Sequence, residues 1–206
     1  MIIERIPAGI YATNCYILTC EETYECAIID PAGSANDIFN YIKENDFIPK
    51  YIILTHGHAD HIGAVEELRS KFNLKVLIHK DDEYMLKNAN YNLSAHMSGP
   101  NIEFNSDETF EDGQTIKLGN LEVLLIHTPG HTKGSSCILV ENMLFSGDTL
   151  FANSIGRTDL EGGSFEDIIK SIKEKLIILD ENIKVLPGHG PASTIGIEKA
   201  TNPFVK

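Results

Sequence analysis

Tryptophan is absent from this 206-residue chain, and its 4 cysteines, Cys15, Cys20, Cys26 and Cys137, form no Cys-x-x-Cys pair. That spacing argues against a zinc ribbon or a dithiol redox pair. It reads as free thiols, with Cys15, Cys26 and Cys137 as apolar-like strand residues, in a reducing compartment. Positive charge is scarce: 17 Lys and Arg stand against 30 Asp and Glu, a net charge of −13. A chain so poor in basic residues lacks the face that phosphate binding requires, so no nucleic-acid partner is expected. Long apolar runs are missing too. Nothing approaches the roughly 18 apolar residues needed to span a bilayer, and Met1-Ile2-Ile3-Glu4-Arg5-Ile6 has no basic stretch leading into a long apolar one. The expectation is a soluble, cytoplasmic protein with no membrane partner. Gly-x-Gly-x-x-Gly and Walker-type loops are absent, as is Gly-x-Ser-x-Gly. The commonest signals for nucleotide binding and for a serine nucleophile are therefore gone.

Histidine and aspartate, by contrast, are concentrated at particular places. Thr55-His56-Gly57-His58-Ala59-Asp60-His61 places four candidate ligands in six residues, after the apolar run Tyr51-Ile52-Ile53-Leu54. That run has the length and branching of a buried strand. His131 lies in His127-Thr128-Pro129-Gly130-His131-Thr132, after Leu124-Leu125-Ile126. Asp148 follows Met143-Leu144-Phe145-Ser146-Gly147, and His189 lies in Val185-Leu186-Pro187-Gly188-His189-Gly190. Imidazole and carboxylate suit zinc, iron or manganese. Recurrence at four strand ends is how a rigid sheet presents a site on loops. On an extended segment, side chains at i, i+2 and i+4 share a side, so His56, His58 and Asp60 are expected to converge. Ile62 to Leu68 has helical character, which puts Asp60 and His61 near a helix start. The reading is a two-metal hydrolase.

Length and a hydrophobic content of 42% allow one well-buried core. Strands are expected near 2–6, 14–19, 26–30, 51–55, 75–79, 115–118, 121–126, 136–140, 143–147 and 184–186, and helices near 35–45, 62–71, 80–88 and 165–179. Acidic Asp81-Asp82-Glu83 favours the third helix start. Asp112-Gly113-Gln114 and Gly119-Asn120 mark hairpin turns. Residues 84–100 have little periodicity and read as a loop, a candidate lid; His96 is a polar residue of that loop. His79 ends a strand, and His127 is expected to be structural or to hydrogen-bond a ligand or loop carbonyl. Periodicity alone implies only a mixed α/β fold.

The His-x-His-x-Asp-His, Thr-Pro-Gly-His-Thr, Gly-Asp-Thr-Leu-Phe and Pro-Gly-His-Gly segments occur in an order that resembles the metallo-β-lactamase superfamily, most of all its glyoxalase II-like branch. The resemblance runs from Asn14-Cys15-Tyr16 and Asp30-Pro31 to Asn202-Pro203-Phe204. Ser154 to Ser164, with Gly156-Arg157-Thr158-Asp159, resembles the short single-domain hydroxyacylglutathione hydrolase-like enzymes and also the persulfide dioxygenases. It implies one domain over 1–206, an α/β four-layer αββα sandwich of two mixed sheets flanked by helices. It implies two divalent metal ions per chain, zinc foremost, with iron or manganese as other occupants. His56, His58 and His131 would hold the first, Asp60, His61 and His189 the second, and Asp148 would bridge them. The implied activity is hydrolysis of a thioester such as S-lactoylglutathione through a metal-bridging hydroxide, with Asp60 as the catalytic carboxylate orienting it. The partner is then a small-molecule thioester, and the protein a monomer or small homo-oligomer.

Arg157 falls where the family carries a basic residue near the thiol moiety, and Arg suits a carboxylate; a salt bridge to Asp159 or Glu161 is the other role open to it. Lys133 reads as solvated. Only Gly190 to Lys206 follow the last ligand, too short for the helical region that holds glutathione in longer relatives, which separates hydrolysis from glutathione specificity. An iron-dependent persulfide dioxygenase needs only one metal and would leave Pro187-Gly188-His189-Gly190 unexplained. A metal domain like that of the flavodiiron proteins would replace His58 by a carboxylate. A lactonase or phosphodiesterase uses the same attacking group and stays open.

Overall fold

Near-continuous apolar runs such as Cys26-Ala27-Ile28-Ile29 and Leu124-Leu125-Ile126 leave each half of the chain with a sheet that must be covered on both faces. In the computed structural model, which describes residues 1–205, the first half forms strands β1 (Ile2–Ala8), β2 (Thr13–Thr19), β3 (Glu25–Ile29), β4 (Ile48–Ile53), β5 (Lys75–His79) and β6 (Glu108–Phe110). They lie side by side in chain order, antiparallel from β1 to β3 and parallel from β3 to β6. The second half forms β7 (Thr115–Leu118), β8 (Leu121–His127), β9 (Ser136–Val140) and β10 (Met143–Gly147), then a ribbon of β11 (Leu150–Phe151) and β12 (Ser154–Ile155), and finally β13 (Lys184–Pro187) and β14 (Ser193–Thr194). The second sheet has the order β14-β13-β10-β9-β8-β7, with β10 and β13 parallel.

Packing follows the strand period of two. Along β2, Cys15 and Ile17 enter one core with Ile28, Ile52 and Val76, where helices α1 (Ala35–Glu44) and α3 (Val65–Phe72) supply Ile38, Ile42 and Leu68. Tyr16 and Leu18, one residue out of phase, enter a second core between the sheets with Ile53, Leu125, Ile138 and Phe145. A third core lies outside the second sheet, where Leu144 and Val185 meet Ile168, Ile172 and Ile195. These come from α5 (Phe165–Ser171), the π-helical turn Ile172–Leu176 that continues it, and α6 (Ile195–Thr201). Three cores between four layers make the αββα sandwich expected above. Cys15, Cys26 and Cys137 are buried as free thiols, as expected, and Cys20 is buried with them.

Some boundaries differ from the sequence reading. The helix expected near 62–71 begins earlier and is broken: α2 (Ala59–Ile62) ends where Gly63 passes so close to Ala32 that a Cβ would lie 2.2 Å from its carbonyl oxygen. The helix near 80–88 is a 3₁₀ turn, Lys80–Asp82, and a single α-turn, α4 (Glu83–Leu86). The helix near 165–179 keeps α geometry only to Ser171. Strands β6, β11, β12 and β14 and helix α6 are additional. Four of these five span two or three residues, too short for a period to register, and each strand is held by its pairing partner.

Candidate metal centre

The four ligand-bearing loops leave β4, β8, β10 and β13, and they meet at one end of the sandwich. Two cross-sheet clamps bring them there. The Asn14 amide donates to the carbonyls of Pro187 and Gly190 at 2.9 and 3.0 Å, and Tyr16 Oη donates to Pro187 at 2.8 Å. Ser136 N–H donates to the Thr55 carbonyl at 2.8 Å, tying the His56 loop to the second sheet.

All seven candidate ligands converge. His56, His58 and His131 form one group, Asp60, His61 and His189 another, with donor atoms within 4.8 Å in each; His56, His61 and Asp148 form a third set between them. Asp148 Oδ1 lies 3.4 Å from His61 Nε2, and Oδ2 lies 3.7 Å from both His131 Nε2 and His189 Nε2. The expected convergence of His56, His58 and Asp60 is corrected. His58 has extended backbone and caps α2, and the helical turn that begins at Ala59 carries Asp60 across to His189, at 3.3 Å. A helix start inside the motif breaks the period of two.

Residues the sequence reading did not single out hold these ligands. Asp30, buried and at φ 51°, accepts from Thr55 N–H at 2.8 Å, Thr55 Oγ1 at 2.6 Å and His61 Nδ1 at 2.9 Å. Asp82, fully buried, accepts from Gly57 N–H, Thr132 Oγ1 and Gly134 N–H at 3.1, 2.7 and 2.6 Å. It thereby joins the His56–His58 loop to the His131 loop. Burial raises the Asp82 carboxyl to about 6 against those three donors. His131 Nδ1 donates to the Arg157 carbonyl at 2.8 Å. Hydrogen bonds from the far ring nitrogen fix the tautomer and leave Nε2 of His61 and His131 turned inward. Asp30 lies 31 residues from His61, and Asp82 lies 25 and 52 residues from the Gly57 and Gly134 amides it accepts from, so only their place before Pro31 and within an acidic helix start marks them in the sequence.

Electrostatics sort the imidazoles. Burial, with neighbouring histidines adding to it, holds His56 well below its ordinary pKa and His58 at about 3, so both present neutral rings. Burial also lowers His131, although Asp148 opposes it. Burial works against the charged form of His61 as well, but Asp148 and Asp30 outweigh it and raise His61 well above the ordinary value. Asp60 and Asp148 are held below the usual carboxylate range: burial opposes this in both, and His189 and His61 respectively overcome it.

The cluster fits a metal on its own geometry. Buried His56 Nε2 and Asp148 Oδ1 have no hydrogen-bond partner, and buried polar atoms are rarely left so without a ligand. His58 Nδ1 faces His131 Nε2 at 2.9 Å, and His61 Nε2 faces His189 Nε2 at 3.3 Å. Gly188 keeps the space open, since a Cβ there would lie 2.4 Å from Asp148 Oδ1 and 2.6 Å from His61 Cε1. A further group, His79, Asp81 and His127, has donors equally close. Its two rings stack at 3.8 Å and 11°, so an ion in the plane of one ring lies out of the plane of the other. His127 Nε2 donates to the Lys133 carbonyl at 2.8 Å, which is the structural role expected of it. The metal cluster opens into a cleft of about 650 Å³, whose other walls are Tyr11, Leu93, His96, Met97, Arg157 and Leu160. His96 lies in the wall and outside all the ligand groups formed by the described residues.

The layering and this cluster define a metallohydrolase scaffold, and comparison gives it a family. The chain belongs to the metallo-β-lactamase superfamily, whose profile matches residues 8–189, and it is a metal-dependent hydrolase of that superfamily. It is 36% identical to the hydroxyacylglutathione hydrolase GloC of Haemophilus influenzae, over 100% of this chain and 98% of that protein. Among solved structures it is similar to the BLEG-1 B3 metallo-β-lactamase, with TM-score 0.94 and 37% identity over 100% of both chains. It also resembles TTHA1623 in a di-iron-bound form, with TM-score 0.85 and 31% identity over 98% of this chain and 99% of that one. No helix among the described residues is long and apolar enough to cross a membrane.

Proposed function

We propose that this protein is a two-metal thioesterase of glyoxalase II type, acting in the cytoplasm on a small S-acyl thiol. The observation that carries the reading is the split of seven donors into two three-residue groups with the Asp148 carboxylate between them. His56, His58 and His131 would hold one ion, Asp60, His61 and His189 the other, and Asp148 both; zinc, iron and manganese all suit these donors. Bound there, a pair of divalent cations lowers the pKa of water and polarises an acyl carbonyl. The chain's own residues do the rest. His56 and His58 arrive deprotonated; Asp30 and the Arg157 carbonyl orient His61 and His131. Asp60, partly exposed at the cleft and held as a carboxylate by His189, would orient the attacking hydroxide. Tyr11, Leu93, Met97 and Leu160 exclude solvent on the substrate side. Arg157 contacts the substrate from the rim while Asp159 holds its Nε and Nη2 at 2.7 and 2.9 Å.

Support for a thioester over other leaving groups comes from the GloC similarity across the full chain. The test is metal analysis of purified protein together with a panel of thioesters, lactones, phosphodiesters, β-lactams and persulfides. Two ions per chain with thioester turnover dominant is the expected result. One iron per chain with oxygen uptake on a persulfide would instead establish the dioxygenase reading, with which the Gly156-Arg157-Thr158-Asp159 segment is compatible.

A further inference from the structure

Beside the metal cleft lies a second cavity of about 390 Å³, walled by Pro7, Tyr11 and Pro191 and reached by Arg5 and Asn14. Tyr11 and His189 line both cavities, so the two are continuous at the rim of the site. The basic side chains around this end of the molecule are neutralised, with one exception. Arg157 is paired with Asp159, Lys133 with Glu161 and Lys80 with Glu111. Arg5 has no carboxylate partner among the described residues, in a chain of net charge −13. Its Nη1 donates to Asn14 Oδ1 at 3.2 Å, and the same Asn14 amide grips the Pro187 and Gly190 carbonyls on either side of His189. The guanidinium is therefore anchored to the loop that carries a metal-centre residue, exposed, and without a counter-charge. A guanidinium so placed matches a carboxylate in a bidentate geometry, which a cation already paired does not.

We infer that this side cavity is a subsite for a carboxylate carried by the substrate, and that Arg5 is the residue that binds it. The inference rests on the thioesterase reading and adds to it the residue that would select S-acyl thiols bearing an acid group remote from the scissile carbonyl. Arg5 is a specificity-determining residue here. Arg157, its charge met by Asp159, contributes a hydrogen bond to any substrate without selecting charge.

The test uses the metal-loaded protein, its Arg5→Gln and Arg5→Lys variants, and three thioesters. One carries a carboxylate on the thiol half (S-acetyl-3-mercaptopropionate), one on the acyl half (an S-succinyl ester of mercaptoethanol), and one is uncharged (S-acetylmercaptoethanol). Arg5→Gln is expected to raise KM about tenfold for a carboxylate-bearing substrate, equivalent to about 1.4 kcal/mol. Its kcat should hold within about twofold, with the uncharged substrate unaffected and Arg5→Lys retaining part of the effect. Whichever acid responds identifies the half that occupies the subsite. Wild-type KM for that acid should also rise with ionic strength, as an exposed charge pair requires. Calorimetric binding of a non-hydrolysable thioether carrying the same acids reads the subsite without turnover, and should weaken by the same factor. Equal KM changes for charged and uncharged substrates, or none with either acid, would overturn the subsite while leaving thioester hydrolysis intact. If wild type turned over no thioester, the thioesterase reading would fall, and the calorimetric comparison would still decide for or against Arg5.

Discussion

At the scale of single residues, the centre depends on side chains with two tasks each. Asp148 offers one oxygen towards His61 and the other towards His131 and His189. Asp148→Ala is expected to lose one of two bound ions and most turnover, by more than the roughly hundredfold that outer-shell changes typically cost. Elemental analysis with steady-state rates checks it, and near-normal turnover on a single ion would count against a bridging carboxylate. Asp30 is the carboxylate behind His61, and Asp30→Asn keeps the side chain's size while removing the charge that orients the imidazole. A fall of about 10–100-fold in metal affinity is expected from that change, read by chelator competition. Arg157→Ala should weaken substrate affinity more than metal content; unchanged kinetics would reduce Arg157 to its salt bridge with Asp159. The seven candidate ligands were legible in the sequence because imidazole and carboxylate have few other reasons to crowd next to Gly and Pro at strand ends. Asp30 and Asp82 were not, since each acts on residues far away in the chain.

Elements decide how firmly the site is walled. Residues 84–100, expected as a loop and candidate lid, form a wall of the cleft through Leu93, His96 and Met97. The loop is pinned rather than loose. Buried Asn92 donates to the Met85 and Ile102 carbonyls at 3.0 and 2.7 Å and accepts from Ser94 N–H, and its carbonyl accepts from Ala59 N–H at the start of α2. Asn92→Ala would strand the Ile102 carbonyl and the Ser94 N–H, while the Met85 carbonyl keeps Asn88 N–H, at a cost of about 2–4 kcal/mol. Urea midpoints measure the loss, and limited proteolysis should locate new cleavage within 88–100; an unchanged digestion pattern would mean the wall is held by other contacts. The same reasoning explains why α2 and α3 separate. Ala64 gives its N–H to the Pro31 carbonyl at 2.8 Å instead of to an intrahelical acceptor, beside the close approach of Gly63 to Ala32, a tertiary demand that helical periodicity does not carry. At the His131 loop, Gly130 at φ 139° lies against the Ile168 backbone of α5, where a Cβ would approach to 2.2 Å. That glycine was visible in the sequence; its neighbour was not.

For the whole molecule, the three interlayer cores were foreseeable as a class and unforeseeable as an arrangement. The pH dependence of stability belongs at this scale. Burial, reinforced by the stacked His127 ring, lowers His79 to about 4, with Asp81 opposing. Its folded-state pKa thus lies below the 6.5 of free histidine, and the unfolded chain takes up the proton first as pH falls. Stability present above pH 6.5 is lost between there and about pH 4. Denaturant midpoints at pH 7 and pH 5 should differ more for the wild type than for His79→Gln; equal differences would show that His79 does not titrate with unfolding. The chain's residue order alone determined the chemistry of the candidate ligands, the strands that carry them and the apolar runs that bury both faces of each sheet. These follow from donor type and local period. Only tertiary structure decided which candidate ligands lie together, because a helix starting at Ala59 divides the motif and puts Asp60 with His189. It alone brought Asp30 to His61, Asp82 between two loops and Arg5 to the edge of the cleft, since those approaches depend on how two sheets built from separate halves of the chain meet.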